Sequence, residues 1–257
     1  MFQAEVFPEK DAVSTLLDQL GVDRRAPVLI HSAFSSLGRR GLHPDRFNDA
    51  LVEAMAEGTL LMPAMTWRNV TPEDNRFDAA VTPGHTGILG ESFRRRWATH
   101  RSVHPTHSVT GRGPLAADLL NEHWRDDTPV GVNSPFARLA ERRGTVLLLG
   151  VGLECCTLIH HLEERHAVHL YLHPPSRAEI YECRGLDGQT VTNRQRRHLR
   201  VPRRFEAFAP TLVEAGVMRR TVVGETPCLA VDAAGMVGTL DEVFRRDPGA
   251  SLDRSKG

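Results

Sequence analysis

The chain has 257 residues, of which 40% are hydrophobic and 25% charged, so it is large enough to bury a sizeable core and has the composition of a globular protein. Lysine plus arginine and aspartate plus glutamate both total 32, and this formal charge of zero gives no electrostatic reason to expect a nucleic-acid-binding or membrane-surface protein. The four cysteines have neither the spacing of a zinc site nor that of a disulfide framework, so we expect reduced thiols. Neither a signal peptide nor an apolar run of membrane-spanning length is evident, so we expect a cytoplasmic protein, folded as a single domain over residues 1–257.

Helices and buried strands alternate near the start of the chain. Apolar residues at helical spacing predict a helix over residues 8–20, and the apolar run over residues 28–30 predicts a buried strand. The same order recurs with a helix over residues 44–56 and a strand over residues 59–62. This alternation favours an α/β architecture.

The middle of the chain contains a strand that leads through a glycine loop into a polar helix. The preceding segment, residues 64–83, has little periodicity and predicts a long functional loop. The next predicted elements are, in chain order, helices over residues 86–97 and 135–143, a strand over residues 145–149 and a helix over residues 157–166. The connection between the last two elements is the place where α/β folds put their chemistry.

The last third of the chain favours short strands separated by turns. The predicted elements are strands over residues 178–184, 189–192, 221–223 and 228–231 and a helical stretch over residues 205–215. The residues after Asp247 predict a polar, frayed tail. Together these elements predict an α/β fold with a central mixed sheet flanked by helices and a smaller β-rich C-terminal part.

His160 and Glu163 are the strongest acid–base candidates, and both lie on the helix predicted over residues 157–166. A carboxylate one turn away from an imidazole can hold one tautomer and raise its basicity, which the removal of a proton from an ammonium group requires. The alternative is a surface ion pair on a histidine-rich helix. The glycine loop before the helix favours the catalytic interpretation.

The histidines at positions 160, 161, 166, 169 and 173 also suggest a metal. The segment from His160 to His166 matches neither of the common zinc-protease helix signatures. We therefore expect no metal, and a metal-dependent hydrolase that uses the histidines of residues 160–173 stays an alternative. The adjacent Cys155 and Cys156 are interpreted as small apolar packing residues rather than as nucleophiles.

Two polar loops could bind a ligand. The residues from His31 to Gly38 follow a predicted strand and contain small hydroxyl side chains, as in an anion-binding turn, although such residues also serve ordinary tight turns. In the second loop, Pro105 restricts the backbone of His104, and the nearby Ser108 offers donors for a carbonyl or an amide. The alternative for His104 is a loop histidine that hydrogen-bonds to backbone.

The order and spacing of five segments resemble a known family. These segments are His31 to Gly38, Leu61-Met62-Pro63, Arg101 to Pro105 with Ser108, Asn133 to Leu139, and Leu149 to Gly152 leading to Thr157, His160 and Glu163. In this respect the chain resembles the aminoglycoside 3-N-acetyltransferase family, closely over residues 28–166 and more loosely to the end. Members of that family are α/β proteins that transfer an acetyl group from acetyl-CoA directly to an amine of an aminoglycoside without a metal.

The resemblance implies roles for particular residues of this chain. His160 and Glu163 would belong to the catalytic centre, with His104 as a second candidate for handling a proton. Glu154, which stands where the family usually has aspartate, is a further candidate catalytic residue. The residues implied to bind acetyl-CoA are His31, Ser32, Ser35 and Ser36 near the pantetheine and phosphates, and Ser108 and Val109 near the thioester. The expected partner is a small-molecule amine acceptor rather than a nucleic acid or a membrane, and the oligomeric state stays open, with a homodimer as one alternative.

The chain departs from the family pattern beside the implied acceptor site. Members that act on aminoglycosides commonly carry more acidic residues around the acceptor site, which suits a polycation, whereas this chain has Arg68 there. Glu154 stands where an aspartate is usual, and Met65 and Trp67 would suit a partly apolar acceptor. Two further interpretations therefore stay open beside acetylation of an aminoglycoside. One is an acyltransferase that tailors a different natural product or metabolite, and the other is a ligand-binding or regulatory protein that keeps a coenzyme pocket without turnover.

Overall fold

Alternating helices and strands build the computed structural model, which describes residues 9–38 and 41–256 except the side chains of Ser36 and Lys256. The α-helices are α1 (Glu9–Gln19), α2 (Ser35–Gly38), α3 (Pro44–Ala54), α4 (Ile88–Arg96), α5 (Ala116–Leu120), α6 (Pro135–Glu141), α7 (Leu158–Tyr171), α8 (Ala209–Glu214) and α9 (Ala233–Arg246). The strands are β1 (Pro27–Ser32), β2 (Thr59–Pro63), β3 (Arg76–Asp78), β4 (His100–Arg101), β5 (Val109–Arg112), β6 (Thr145–Leu149), β7 (Glu179–Arg184), β8 (Thr190–Gln195), β9 (Met218–Val223) and β10 (Thr226–Asp232). Among the helices described, none has both the length and the apolar character to cross a membrane.

The predicted central mixed sheet is confirmed. Seven strands of the described chain lie in the order β4-β5-β2-β1-β6-β10-β9. The three strands at its centre are parallel, and Leu29 of β1 is paired with Leu61 of β2 on one side and with Val146 of β6 on the other. Strands β5 and β10 run antiparallel to their central neighbours. The carboxyl ends of β1, β2 and β6 therefore meet at one edge of the sheet.

Helices cover both faces of this sheet, as the apolar strands require. Val28 and Ile30 point to a core that α1, α3 and α4 complete, while Leu29 points to a second core shared with helices α5 to α9. A strand buried on both faces has a continuous rather than an alternating apolar sequence, which is why the Val-Leu-Ile run of β1 could be recognised. The result is a three-layer α/β/α arrangement.

The smaller sheet is confirmed, but its composition differs from the prediction. It pairs β7 with β8 in antiparallel fashion and adds β3, which lies in the segment predicted to be a loop. Three residues are too few to show the periodicity of a strand. Strands β9 and β10, by contrast, extend the central sheet instead of joining the smaller part.

Two regions of the C-terminal half differ from the prediction. Helix α9 was not predicted: Asp232 caps it by accepting a hydrogen bond from the Gly235 N–H, and Met236, Leu240 and Phe244 are fully buried at helical spacing. The predicted frayed tail is wrong, because Ser251 is fully buried and the backbone of Leu252 forms a β-bridge with Arg203.

Candidate active site

Two cavities meet beyond the carboxyl ends of the parallel strands. The larger has a volume of about 1010 Å³ and the smaller about 320 Å³. They share Met65, Trp67, Thr157 and His160 as lining residues. Ligands of open α/β sheets bind at this edge, because the loops that follow parallel strands diverge there and leave a crevice.

His160 and Glu163 form a hydrogen-bonded pair on the first turns of α7. The Nδ1 atom of His160 lies 2.6 Å from Glu163 Oε2. An ionised carboxylate can only accept a hydrogen bond, so Nδ1 is the donor, and in the neutral tautomer of the ring Nε2 is the atom with the lone pair. Among the described residues Nε2 has no hydrogen-bond partner. Glu163 thus fixes the orientation of the imidazole at the junction of the two cavities.

Glu163 is fully buried and is held from three sides. Besides His160, Arg203 Nε donates to its Oε1 at 3.0 Å, and Ser251 Oγ donates to the same oxygen at 2.5 Å. Burial alone would raise the pKa of this carboxyl, but His160, Arg203 and Ser251 outweigh burial and hold the pKa below its usual value. Glu163 therefore stays ionised at neutral pH.

His198 and Glu164 form a second pair directly beside the first. The His198 ring centroid lies 4.5 Å from that of His160, and its Nε2 lies 2.9 Å from Glu164 Oε1. Burial raises the pKa of Glu164 to about 8 and lowers the pKa of His198 well below its usual value, with the neighbouring His160 adding to the latter effect. The raised pKa of the carboxyl and the lowered pKa of the imidazole both favour the neutral forms, in which a protonated Glu164 can donate to His198 Nε2. Sequence reasoning missed His198, which lies in an irregular segment without a recognisable motif.

His31 and Ser32, at the carboxyl end of β1, line the smaller cavity. His31 is 8% exposed, and its Nε2 has no hydrogen-bond partner. Burial, and then the proximity of the titratable His160, lower the pKa of His31 to about 3, so the His31 ring is neutral at pH 7. Ser35 is exposed on α2 and is not among the residues that line the smaller cavity, and the Ser36 side chain lies outside what the structure describes.

His104, Ser108 and Val109 are fully buried and are absent from the lining of both cavities. His104 Nδ1 accepts hydrogen bonds from the backbone N–H groups of Thr106, at 3.2 Å, and His107, at 2.9 Å. Ser108 Oγ donates to a backbone carbonyl, at 2.7 Å. These contacts shape the loop that brings Thr106 and His107 into the wall of the larger cavity. The roles of all three residues stay predictions, and their positions favour indirect support of the site.

Glu154 lines the smaller cavity from a 3-10 turn after β6. Its Oε1 accepts a hydrogen bond from the Gly152 N–H at 2.9 Å, and its carboxyl is paired with that of Glu206. Burial, and then this neighbour, raise the pKa of Glu206. Cys156 is buried, as predicted for a packing residue, and burial raises the pKa of its thiol to about 12. The same prediction is wrong for Cys155, which is exposed and lines the smaller cavity, where partial burial of the thiol and then the charge of Glu154 raise its pKa. Neither thiol is poised as a nucleophile.

The histidines of α7 do not converge on one point. His161 Nδ1 faces the Val130 carbonyl at 3.0 Å, and His166 Nε2 faces Asp241 at 2.8 Å. Within the described chain, His160, Glu163 and His198 offer ligand atoms within 4.8 Å of one another. The Arg203 guanidinium on Glu163 opposes a second cation at this point. The alternative of a metal centre built from the histidines of residues 160–173 therefore has no geometric support.

Comparison with known proteins identifies the class of the molecule. Residues 29–245 match the family described as Aminoglycoside 3-N-acetyltransferase, and the chain belongs to that family. Aminoglycoside N(3)-acetyltransferase IX of Micromonospora chalcea is 32% identical over 251 residues, which cover 84% of this chain and 86% of that protein. Aminoglycoside N(3)-acetyltransferase VIII of Streptomyces fradiae is 33% identical over 167 residues, and this match spans only 58% of each protein.

A solved structure shows the same fold over the whole chain. It is a histidine-to-alanine mutant of aminoglycoside acetyltransferase AAC(3)-IVa in complex with a gentamicin. The TM-score is 0.82 at 28% sequence identity, with coverage of 100% of this chain and 95% of that one. The resemblance expected from the sequence is thereby confirmed at the level of family and fold.

Proposed function

We propose that this protein transfers an acetyl group from acetyl-CoA directly to an amine of a small molecule, with His160 as the general base. One observation carries the proposal: an imidazole oriented by a buried, ionised carboxylate lies where two cavities meet. A reaction between two bound substrates needs such a junction, because donor and acceptor must approach each other beside the base.

The smaller cavity is proposed to receive the acyl-bearing arm of acetyl-CoA. Its wall offers the unpartnered His31 Nε2 and the Ser32 hydroxyl, and a neutral imidazole or a hydroxyl can bond to an amide of pantetheine. The larger cavity then holds the acceptor, with its amine beside His160 and its remaining atoms along Trp67 and His107. Acetyl-CoA enters this account as a substrate rather than as a resident cofactor.

His160 would move one proton during the transfer. As the acceptor nitrogen forms its bond to the acetyl carbonyl carbon, His160 Nε2 takes a proton from that nitrogen, and Glu163 stabilises the resulting imidazolium. The carbon–sulfur bond then breaks, and the departing thiolate takes the proton back from His160. The products are the N-acetylated acceptor and coenzyme A, and the base returns to its starting state. The raised thiol pKa values of Cys155 and Cys156 support a route without an acyl-enzyme.

The experiment is a thiol-release assay with acetyl-CoA and a panel of amines that includes gentamicin. We expect His160→Ala to lower kcat by about 10²-fold or more, because general-base catalysis contributes about this much. His169→Ala is the matched control, since His169 is an exposed histidine of the same helix. A His160→Ala enzyme that keeps the full rate on every amine would refute the proposed base.

Two acceptor classes remain for this activity. Aminoglycosides are the first, because the relatives named above are aminoglycoside acetyltransferases. A metabolite of different charge is the second, and the arginine side chains of the larger cavity favour it.

A further inference from the structure

The larger cavity has a cationic wall. Its charged and titratable lining residues are Arg68, Arg197, Arg200, Arg203, His107, His160, His173 and His198. No aspartate or glutamate occurs among the described residues that line it. The acidic group beside the active site, Glu154, lies instead in the smaller cavity.

Two of the four arginines are neutralised by carboxylates behind the wall. Arg197 Nε lies 2.5 Å from Glu179, and Arg203 Nε lies 3.0 Å from Glu163. Both guanidinium groups also donate to backbone carbonyls, so these two arginines serve mainly to build the wall.

Arg68 and Arg200 are different, because neither has a carboxylate partner within the described parts of the chain. Both are exposed on the cavity wall. The Arg68 guanidinium stacks over the Trp67 ring, with its carbon 4.7 Å from the ring centroid, which holds the cation beside one of the residues shared by the two cavities. Two positive charges thus face the cavity without compensation.

We propose that the larger cavity selects an acceptor that carries an anionic group, such as a phosphate, in addition to its amine. The amine lies against His160, and Arg68 and Arg200 bind the anionic group. Arginine suits phosphate because its planar array of N–H donors can bond two oxygens at once. A polycationic acceptor would bring like charges against this wall, which disfavours its binding. The inference rests on the proposed acetyl transfer and names the class of acceptor for it.

Coenzyme A also carries phosphate groups that arginine can bind. The test must therefore separate recognition of a phosphate on the acceptor from recognition of the phosphates of coenzyme A. Glucosamine and glucosamine 6-phosphate form a matched pair of amines, and gentamicin adds a polycation. We expect kcat/KM to be higher for glucosamine 6-phosphate than for glucosamine and lowest for gentamicin. In the double variant Arg68→Glu and Arg200→Glu, the ratio of phosphorylated to neutral acceptor should fall at least about tenfold.

Controls determine which molecule the arginines recognise. Arg220 is exposed on β9 and does not line the larger cavity, so Arg220→Glu should keep the wild-type ratio. KM for acetyl-CoA and for 3′-dephospho-acetyl-CoA is measured in parallel. If the double variant raises only KM for acetyl-CoA and leaves the acceptor ratio unchanged, the arginines bind the donor and the proposal is overturned.

A binding experiment tests whether the cavity recognises the anionic group even if neither sugar is acetylated. A ligand that binds the folded protein raises its apparent melting temperature. We expect glucosamine 6-phosphate to stabilise the wild-type protein more than glucosamine does, and the difference to vanish in the double variant. Equal shifts for both sugars would contradict the proposal. The outcome is independent of the test of His160, because a rate that depends on His160 but not on acceptor charge refutes only the present inference.

Discussion

Ser251 Oγ donates a hydrogen bond of 2.5 Å to Glu163 Oε1, across 88 residues of sequence. The hydroxyl is itself 2.9 Å from the Tyr171 hydroxyl, so a short chain of polar groups leads from the C-terminal segment to the carboxylate that orients His160. The acidity of Glu163 thus depends in part on residues that never reach either cavity.

Ser251→Ala should lower kcat by about fivefold to tenfold, because a buried hydrogen bond to a charged group contributes about 1.5–3 kcal/mol and only part of that loss reaches the transition state. KM for both substrates should change little, since Ser251 touches neither cavity. Steady-state kinetics of thiol release measure both quantities.

Two further variants serve as controls. Ser251→Thr keeps the hydroxyl and should restore most of the rate, and Ser255→Ala changes an exposed serine of the same segment. Equal losses in the Ala and Thr variants would show that Ser251 acts only through packing.

Glu164→Gln should change how stability depends on pH. The pKa of Glu164 is raised to about 8 in the folded protein, from an ordinary value of 4.5. Between these values the folded state binds more protons than the unfolded state, so this group makes the free energy of unfolding fall as pH rises, by at most about 1.4 kcal/mol per pH unit. Glutamine does not titrate, so the variant should have a shallower decline over this range in urea unfolding.

Glu141→Gln provides the control for that experiment, because Glu141 is an exposed carboxylate at the end of α6. It should leave the pH dependence as in the wild type. Identical slopes for wild type and Glu164→Gln would mean that Glu164 is ionised in the folded protein at neutral pH.

His31→Ala should raise KM for acetyl-CoA by about tenfold, because the variant removes one hydrogen-bonding group from the wall proposed to hold the donor. KM for the amine should stay near its wild-type value. Since the pKa of His31 is about 3, the ring is neutral throughout the assay range, and the effect should be the same at pH 6 and at pH 8. A larger effect on the amine than on acetyl-CoA would place the acceptor in the smaller cavity.

Sequence alone predicted the parts of the candidate site that local patterns specify. His31 and Ser32 follow a continuously apolar strand, and the spacing of His160 and Glu163 places them one helical turn apart, so both pairs could be recognised without a structure. The central sheet followed from the same alternation of helices and apolar strands.

The parts of the site that the sequence did not predict are held in place by contacts between residues far apart in the chain. His198 and Arg203 lie in an irregular segment, and isolated bridges to Leu172 and Leu252 hold it in place. No periodic pattern marks such residues. Helix α9 was overlooked for another reason, since Gly235 and Gly238 lower the helix propensity of a segment whose stability comes from burial of its apolar face.

The non-helical backbone at Ala167, with φ −153° and ψ 54°, divides α7 into two parts. The first carries the imidazole and its carboxylate, and the second ends at Tyr171, whose hydroxyl donates to the Pro248 carbonyl. The helical hydrogen-bond ladder is interrupted between the two parts, so the Ser251 hydroxyl, which lies 2.9 Å from the Tyr171 hydroxyl and 2.5 Å from Glu163 Oε1, is a side-chain link that joins them across the break.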